Sequence, residues 1–206
     1  MAMVHRVRQV IAAAAAAALA MSAPAAAQLY SDGYKFLQAV EKQDQAKVEE
    51  LLDKNSTVVN SRDISDGHTA LHTVIKAHAY LWLSYLLGKG ANPNIADKEG
   101  VTPLMLASQM GFTDAVTALA QSGAKVDAAN DAGETPLITA VHNRDLAMVR
   151  ILLLAGADPD RSDNSGRTAR EYAKAQGAGN LVLGEIEQHD SDKAAKKPQQ
   201  VYGPSF

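Results

Sequence analysis

The 206 residues contain no cysteine. No disulfide can therefore support the fold, and no lipid-attachment cysteine is present. Charge of one sign is also missing. Twenty basic against 23 acidic residues leave a net charge of −3, which gives no electrostatic case for nucleic acid or anionic membrane. Beyond the first 27 residues no stretch approaches the roughly 18 consecutive apolar residues of a membrane span. The familiar catalytic signatures are absent as well. There is no Gly-x-Ser-x-Gly elbow, no His-Glu-x-x-His pair and no phosphate loop.

What is present is a period. Gly67, Gly100, Gly133 and Gly166 stand 33 residues apart, and so do Thr69, Thr102, Thr135 and Thr168. Gly90, Gly123 and Gly156 keep the same spacing, each followed by alanine. A fixed period of this length predicts stacked units that bury apolar faces on one another. Within one unit, Thr102 is placed to N-cap a first helix with Pro103 at its first position, where a missing N–H costs nothing. Leu104, Ala107 and Ser108 are expected to face inward. Gly111 separates the helices, and a second helix from near Thr113 buries Val116 and Leu119. The third repeat follows through Leu137, Ala140, Val149, Leu152 and Leu153.

These residues resemble the ankyrin-repeat family. Asp97-Lys98-Glu99-Gly100-Val101-Thr102-Pro103-Leu104 and Gly133-Glu134-Thr135-Pro136-Leu137 are similar to the family's opening, and Thr69-Ala70-Leu71-His72 keeps its histidine. Leu86-Leu87 with Gly90-Ala91, and Leu152-Leu153 with Gly156-Ala157, are similar to its close. The resemblance implies an all-α solenoid of stacked helix–turn–helix units with β-hairpin-like fingers.

The first 27 residues read differently. His5, Arg6 and Arg8 precede an Ala-rich apolar run from Val10 to Met21, and Ala25-Ala26-Ala27 follow Pro24. That order predicts a secretory signal peptide, residues 1–27, cut before Gln28. The expected domain spans 28–187, with an N-cap over 31–63, repeats over 64–96, 97–129 and 130–162, and a C-cap over 163–187. In the N-cap, Phe36 aligns with Leu71 at an offset of 35, which places two extra residues between Asn55 and Asp66. In the C-cap, Arg170 takes the slot of Leu104 and Leu137, as suits an end unit without a neighbour. Residues 188–206 are expected to be a disordered tail, or a recognition peptide ending Tyr202-Gly203-Pro204-Ser205-Phe206.

His68 and His72 with Asp66 invite a metal reading. The structural alternative is favoured: His72 is the family's finger-bonding histidine and His68 is exposed. No metal or other cofactor is expected. Trp82 and Leu83 match core positions, and Trp82 and Tyr85 are read as core packing, whereas Tyr80 and Leu81 match exposed positions and are read as a secondary contact patch.

The family resemblance implies a non-catalytic protein-binding scaffold, monomeric, with another protein as its partner and no nucleic acid or membrane contact once the leader is removed. The contact surface carried onto this chain is the concave face. Its finger positions are Asp66, His68, Lys98, Glu99, Val101, Asp131, Glu134, Asn164 and Arg167, and its helix positions are Lys76, Gln109, Met110, His142 and Asn143. The Ala-rich leader resembles bacterial export signals, so the mature protein is expected in the periplasm. Resemblance to small exported bacterial ankyrin proteins suggests an oxidative-stress enzyme as partner. The alternatives are a structural cell-envelope scaffold and an enzyme with an unrecognised site.

Overall fold

A computed structural model describes residues 25–177 and 179–195. Among the described residues the secondary structure is ten α-helices and one 3-10 turn. They are α1 (Ala25–Glu41), α2 (Gln45–Lys54), α3 (Ala70–Lys76), α4 (Tyr80–Gly88), α5 (Pro103–Gln109), α6 (Thr113–Gln121), α7 (Pro136–His142), α8 (Leu146–Leu154), α9 (Ala169–Ala175) and α10 (Leu181–Ala195), with the 3-10 turn at Ser56–Asn60. None of these helices is long and apolar enough to cross a membrane.

The first helix of each repeat has seven residues. That is too short to persist alone in water, so its ends and its inner face must hold it. At the N-terminus, Thr102 accepts from the Met105 N–H at 3.3 Å and Thr135 from the Ile138 N–H at 3.3 Å. Along the inner face Leu71, Leu104, Leu137, Ala107 and Ala140 are buried. Stacking then forms two layers. α1, α3, α5, α7 and α9 pack in succession as the inner layer, while α4, α6, α8 and α10 follow one another behind it. Phe36, Val48, Leu83, Val116, Leu119, Val149 and Leu152 fill the space between the layers.

Two polar ladders tie each unit to the next. In the fingers, the N–H of Lys98 donates to Asp66 O at 2.9 Å, that of Asp131 to Glu99 O at 3.3 Å, and that of Asn164 to Ala132 O at 3.3 Å. In the return loops, Asn60 Oδ1 accepts from the Asn92 N–H at 2.8 Å, Asn94 Oδ1 from Lys125 at 2.7 Å, and Asp127 Oδ1 from Asp158 at 2.9 Å. These pairs also locate the two extra residues. One falls in the stretch holding the 3-10 turn. The other falls between Asp63 and Gly67, because these two open and close the first finger as Asp97 and Gly100 do the next, one residue farther apart.

Three expectations meet the structure at the ends of the chain. The leader lies almost wholly outside the described residues. The tail does not begin at Gln188, because α10 continues to Ala195. Val182 and Ile186 are its buried apolar anchors, and ion pairs hold much of the rest. Arg150 grips Glu185 through two bonds of 2.8 and 2.6 Å, and Arg170 meets Asp190 at 2.8 Å. Residues 196–206 lie outside the described set.

Arg170 is thus no idle end residue. It also holds Asp160 through two bonds of 2.7 and 2.9 Å. Asp160 occupies the slot of Asn94 and Asp127 in the loop ladder. Among the described residues no further repeat offers it an N–H, and its carboxylate is satisfied by Arg170 instead. The Asp160 hydrogen bonds push the Arg170 guanidinium further up from its ordinary range.

Candidate functional site

The inner layer exposes one side of each first helix, and the fingers extend that surface. Its N-terminal end is a hollow of about 610 Å³ between α1, the first finger and α3. His68 lies there half-buried. Asp66 Oδ2 is 2.7 Å from its Nδ1 and the Lys76 ammonium is 3.2 Å from the same nitrogen. Its ring stacks on His72 with centroids 5.2 Å apart, so it is less open than its finger position suggested.

His72 is buried and structural. Its Nδ1 accepts from the Thr69 N–H at 3.1 Å, and its Nε2 lies 3.0 Å from Val101 O. That arrangement fixes the tautomer with the proton on Nε2, donated to the next finger. Burial pushes the His72 pKa below its ordinary value of 6.5, because an imidazolium there would be desolvated. No group of three His, Asp or Glu side chains among the described residues is placed to hold a metal ion.

The centre of the surface departs from the sequence reading. Val101 is not exposed: only 9% of it is accessible. An apolar side chain at a finger position gains by turning under the neighbouring finger, where polar residues turn outward. Met110 is half-buried and packs on the core beside Leu106. Leu106, unmarked in the sequence reading, is therefore the apolar partner of Met110. The signal for it was present. Thr73, Leu106, Thr139 and Tyr172 recur at 33-residue intervals, each four residues beyond a capping threonine, and all are half-buried. Gln109, Glu99 and Asp131 are exposed around this centre.

At the C-terminal end His142 and Tyr172 meet edge to face, with centroids 4.4 Å apart. Glu134 Oε1 is 3.8 Å from His142 Nδ1, and the Arg167 guanidinium lies 5.8 Å from the Tyr172 ring centre. The Tyr172 hydroxyl donates to Asp163 Oδ2 at 2.6 Å. That bond, with a second from Ser165, holds the Asp163 carboxyl well below the usual carboxylate range. Tyr172 is the second residue missing from the sequence reading. Asn143 and Asn164 are exposed, but the Asn164 amide also donates to Asp131 O at 2.9 Å, which gives it a structural task. Lys98 departs in direction. Its ammonium reaches back 2.6 Å to Ile64 O on the preceding finger, away from the centre of the groove.

On the outer layer Leu81 is 83% exposed and Tyr80 43%. Trp82 and Tyr85 pack on the core and on each other, with centroids 5.7 Å apart.

Groove, fingers and half-buried apolar centre form a surface suited to a protein partner. The comparisons with known proteins agree. A family model described as ankyrin repeats (3 copies) matches residues 36–130, and one described as ankyrin repeats (many copies) matches residues 119–173. A curated ankyrin repeat protein of fowlpox virus is 42% identical over 55 residues, which is 27% of this chain and 16% of the viral protein. The chain thus spans about a sixth of that relative's length. Such repeats are in general non-catalytic modules that bind other proteins, and with the two family matches running together from 36 to 173, this chain belongs to the ankyrin-repeat family.

Proposed function

We propose that the protein is an exported binding scaffold that works in the periplasm and holds a partner protein in its concave groove. The observation that carries the groove assignment is the pair Leu106 and Met110. Both are partly open on a face otherwise lined by polar side chains. A small apolar centre within a polar rim is the anatomy of a protein-binding patch, where a few central residues supply most of the energy. The aromatic corner of His142 and Tyr172 extends that centre toward the C-terminal end. Support for export is the order of positive, apolar and small residues in the first 27 positions. An oxidative-stress enzyme is the partner proposed, from the resemblance to small exported bacterial ankyrin proteins.

Affinity capture from a periplasmic extract tests the reading. The wild-type chain should retain a soluble protein. The Leu106→Asp, Met110→Asp double variant should fold and lose at least ~2 kcal/mol of that affinity, the hot-spot scale. Loss of capture in Tyr80→Ala, Leu81→Ala with the groove variant still binding would move the site to the outer layer. Recovery with the sacculus would make the protein a cell-envelope scaffold. An unprocessed chain in the cytoplasm would refute export.

A further inference from the structure

A second cleft, of about 700 Å³, opens between α1 and the first finger. It shares Tyr34, Leu37 and Asp63 with the N-terminal end of the groove, but none of His68, Thr73 or Lys76 lines it. Its floor and wall are apolar: Leu37 is half-buried, Tyr34 is 54% exposed and Ile64 is 73% exposed. This finger is one residue longer than the next between its opening aspartate and its glycine, Asp63–Gly67 against Asp97–Gly100, and Ile64 stands in that longer stretch.

Two cations edge the cleft, and both are held in place by backbone. Arg62 Nε donates to Gly67 O at 3.2 Å, and Lys98 Nζ donates to Ile64 O at 2.6 Å. Among the described residues neither forms an ion pair with a carboxylate. Asp63 is the acid in the lining, and its carboxylate accepts from the N–H and hydroxyl of Ser65 within its own turn. Arg62 and Lys98 against the one carboxylate of Asp63 therefore leave a net positive charge beside exposed apolar side chains. The complement is a carboxylate next to an apolar group. Two cations are too few to track a nucleic-acid backbone, and the volume suits a few side chains of a peptide.

We infer that this cleft takes a short acidic segment of a partner protein, with an apolar side chain against Tyr34, Leu37 and Ile64 and a neighbouring Asp or Glu carboxylate on Arg62 and Lys98. It is a site additional to the concave groove, and either can fail without the other.

The test uses the full chain and fluorescence anisotropy. One labelled peptide pool alternates Glu or Asp with Leu, Ile or Phe; a second pool carries Lys at the acidic positions. The acidic pool should bind and the lysine pool should not. Ile64→Ala, whose side chain stands in solvent, should weaken binding at least tenfold without altering the fold. The Arg62→Glu, Lys98→Glu double variant should lose the acidic pool and gain the lysine pool. Equal binding of both pools, or binding of neither, overturns the proposal. So does unchanged affinity in Ile64→Ala and the charge-reversed variant. Loss only in Leu106→Asp, Met110→Asp would overturn this cleft and leave the groove standing.

Discussion

The turn between the two helices of each unit carries a backbone conformation that its sequence only half respects. Gly111 and Gly177 have φ of 67° and 105°, but Gln43, His78 and Arg144 take φ of 54°, 50° and 54° in the corresponding slot. A residue with a Cβ pays about 1–2 kcal/mol there. Glycine recovers that and loses roughly 0.5–1 kcal/mol to the greater freedom of the unfolded chain. Arg144 is exposed, and among the described residues its side chain makes no hydrogen bond or ion pair. Arg144→Gly should therefore stabilise by about 0.5–1 kcal/mol. His78 differs because its ring lies 4.9 Å from that of Phe112. Losing such a contact costs about 0.5–1.5 kcal/mol, so His78→Gly should be near neutral. The reverse change isolates the same quantity. A Cβ on Gly111 would meet nothing nearer than Asp145 Oδ2 at 3.9 Å, and Gly111→Ala should cost about 0.5–1 kcal/mol from backbone alone. At Gly133, φ is 79° and a Cβ would stand 2.5 Å from the Asn164 backbone nitrogen. Gly133→Ala should exceed the Gly111 cost by at least ~1 kcal/mol, the lower end of overpacking. Urea denaturation with the slope checked for constancy measures all four. A lower midpoint for Arg144→Gly, or equal costs at Gly111 and Gly133, would refute the reasoning.

Leu104→Ala or Leu137→Ala, each fully buried with a repeat on either side, should lose ~2–5 kcal/mol by the same assay; a loss below about 0.5 kcal/mol, the size of a surface change, would mean the packing is otherwise. Acid should weaken the fold through His72. Its folded pKa lies below its ordinary 6.5, so the unfolded chain takes up the proton first. That stability is complete above the ordinary value and lost as pH falls through it toward the folded value. Urea midpoints measured from neutral pH downward should drop in the wild type and drop less in His72→Met, which borrows the residue of the equivalent Met105 slot; parallel curves would exclude His72 as the cause. Arg170→Ala should loosen α10, with about 1 kcal/mol lost and faster amide exchange over 181–195, an effect that high salt reproduces in part in the wild type; unchanged exchange would show that apolar contacts alone hold the helix.

The interior of this protein was readable because it repeats. Once Gly100 and Gly133 set the register, Leu104, Val116, Leu119 and Leu137 had to face inward, and Thr102 and Thr135 had to cap. Features that break the period were hidden. Arg170 looked like a vacancy since its partners, Asp160 and Asp190, stand ten residues before it and twenty after, at distances no repeat predicts. α10 passes Gln188 on ion pairs and short-range polar contacts, which a search for apolar residues does not detect. The groove was legible by position but not by orientation. Val101 shares a register with His68, Glu134 and Arg167, and register alone cannot tell whether a side chain turns out or under. Leu106 and Tyr172 were overlooked for the opposite reason: their helix position borders the core, and a half-buried apolar residue there looks like packing.

The loop ladder has a direction. Asn60, Asn94 and Asp127 each reach forward to an N–H of the following unit, so the series needs something beyond its last member, and Arg170 supplies it from within the final unit. That makes Arg170 a terminator. A repeat duplicated between two central units would find an acceptor behind it and an N–H ahead of it, and would join the array without altering either end. One appended after Ser162 would have to displace a guanidinium already bound to Asp160. Longer or shorter versions of this chain should therefore differ in the middle of the array, and keep an arginine–aspartate pair where the array stops.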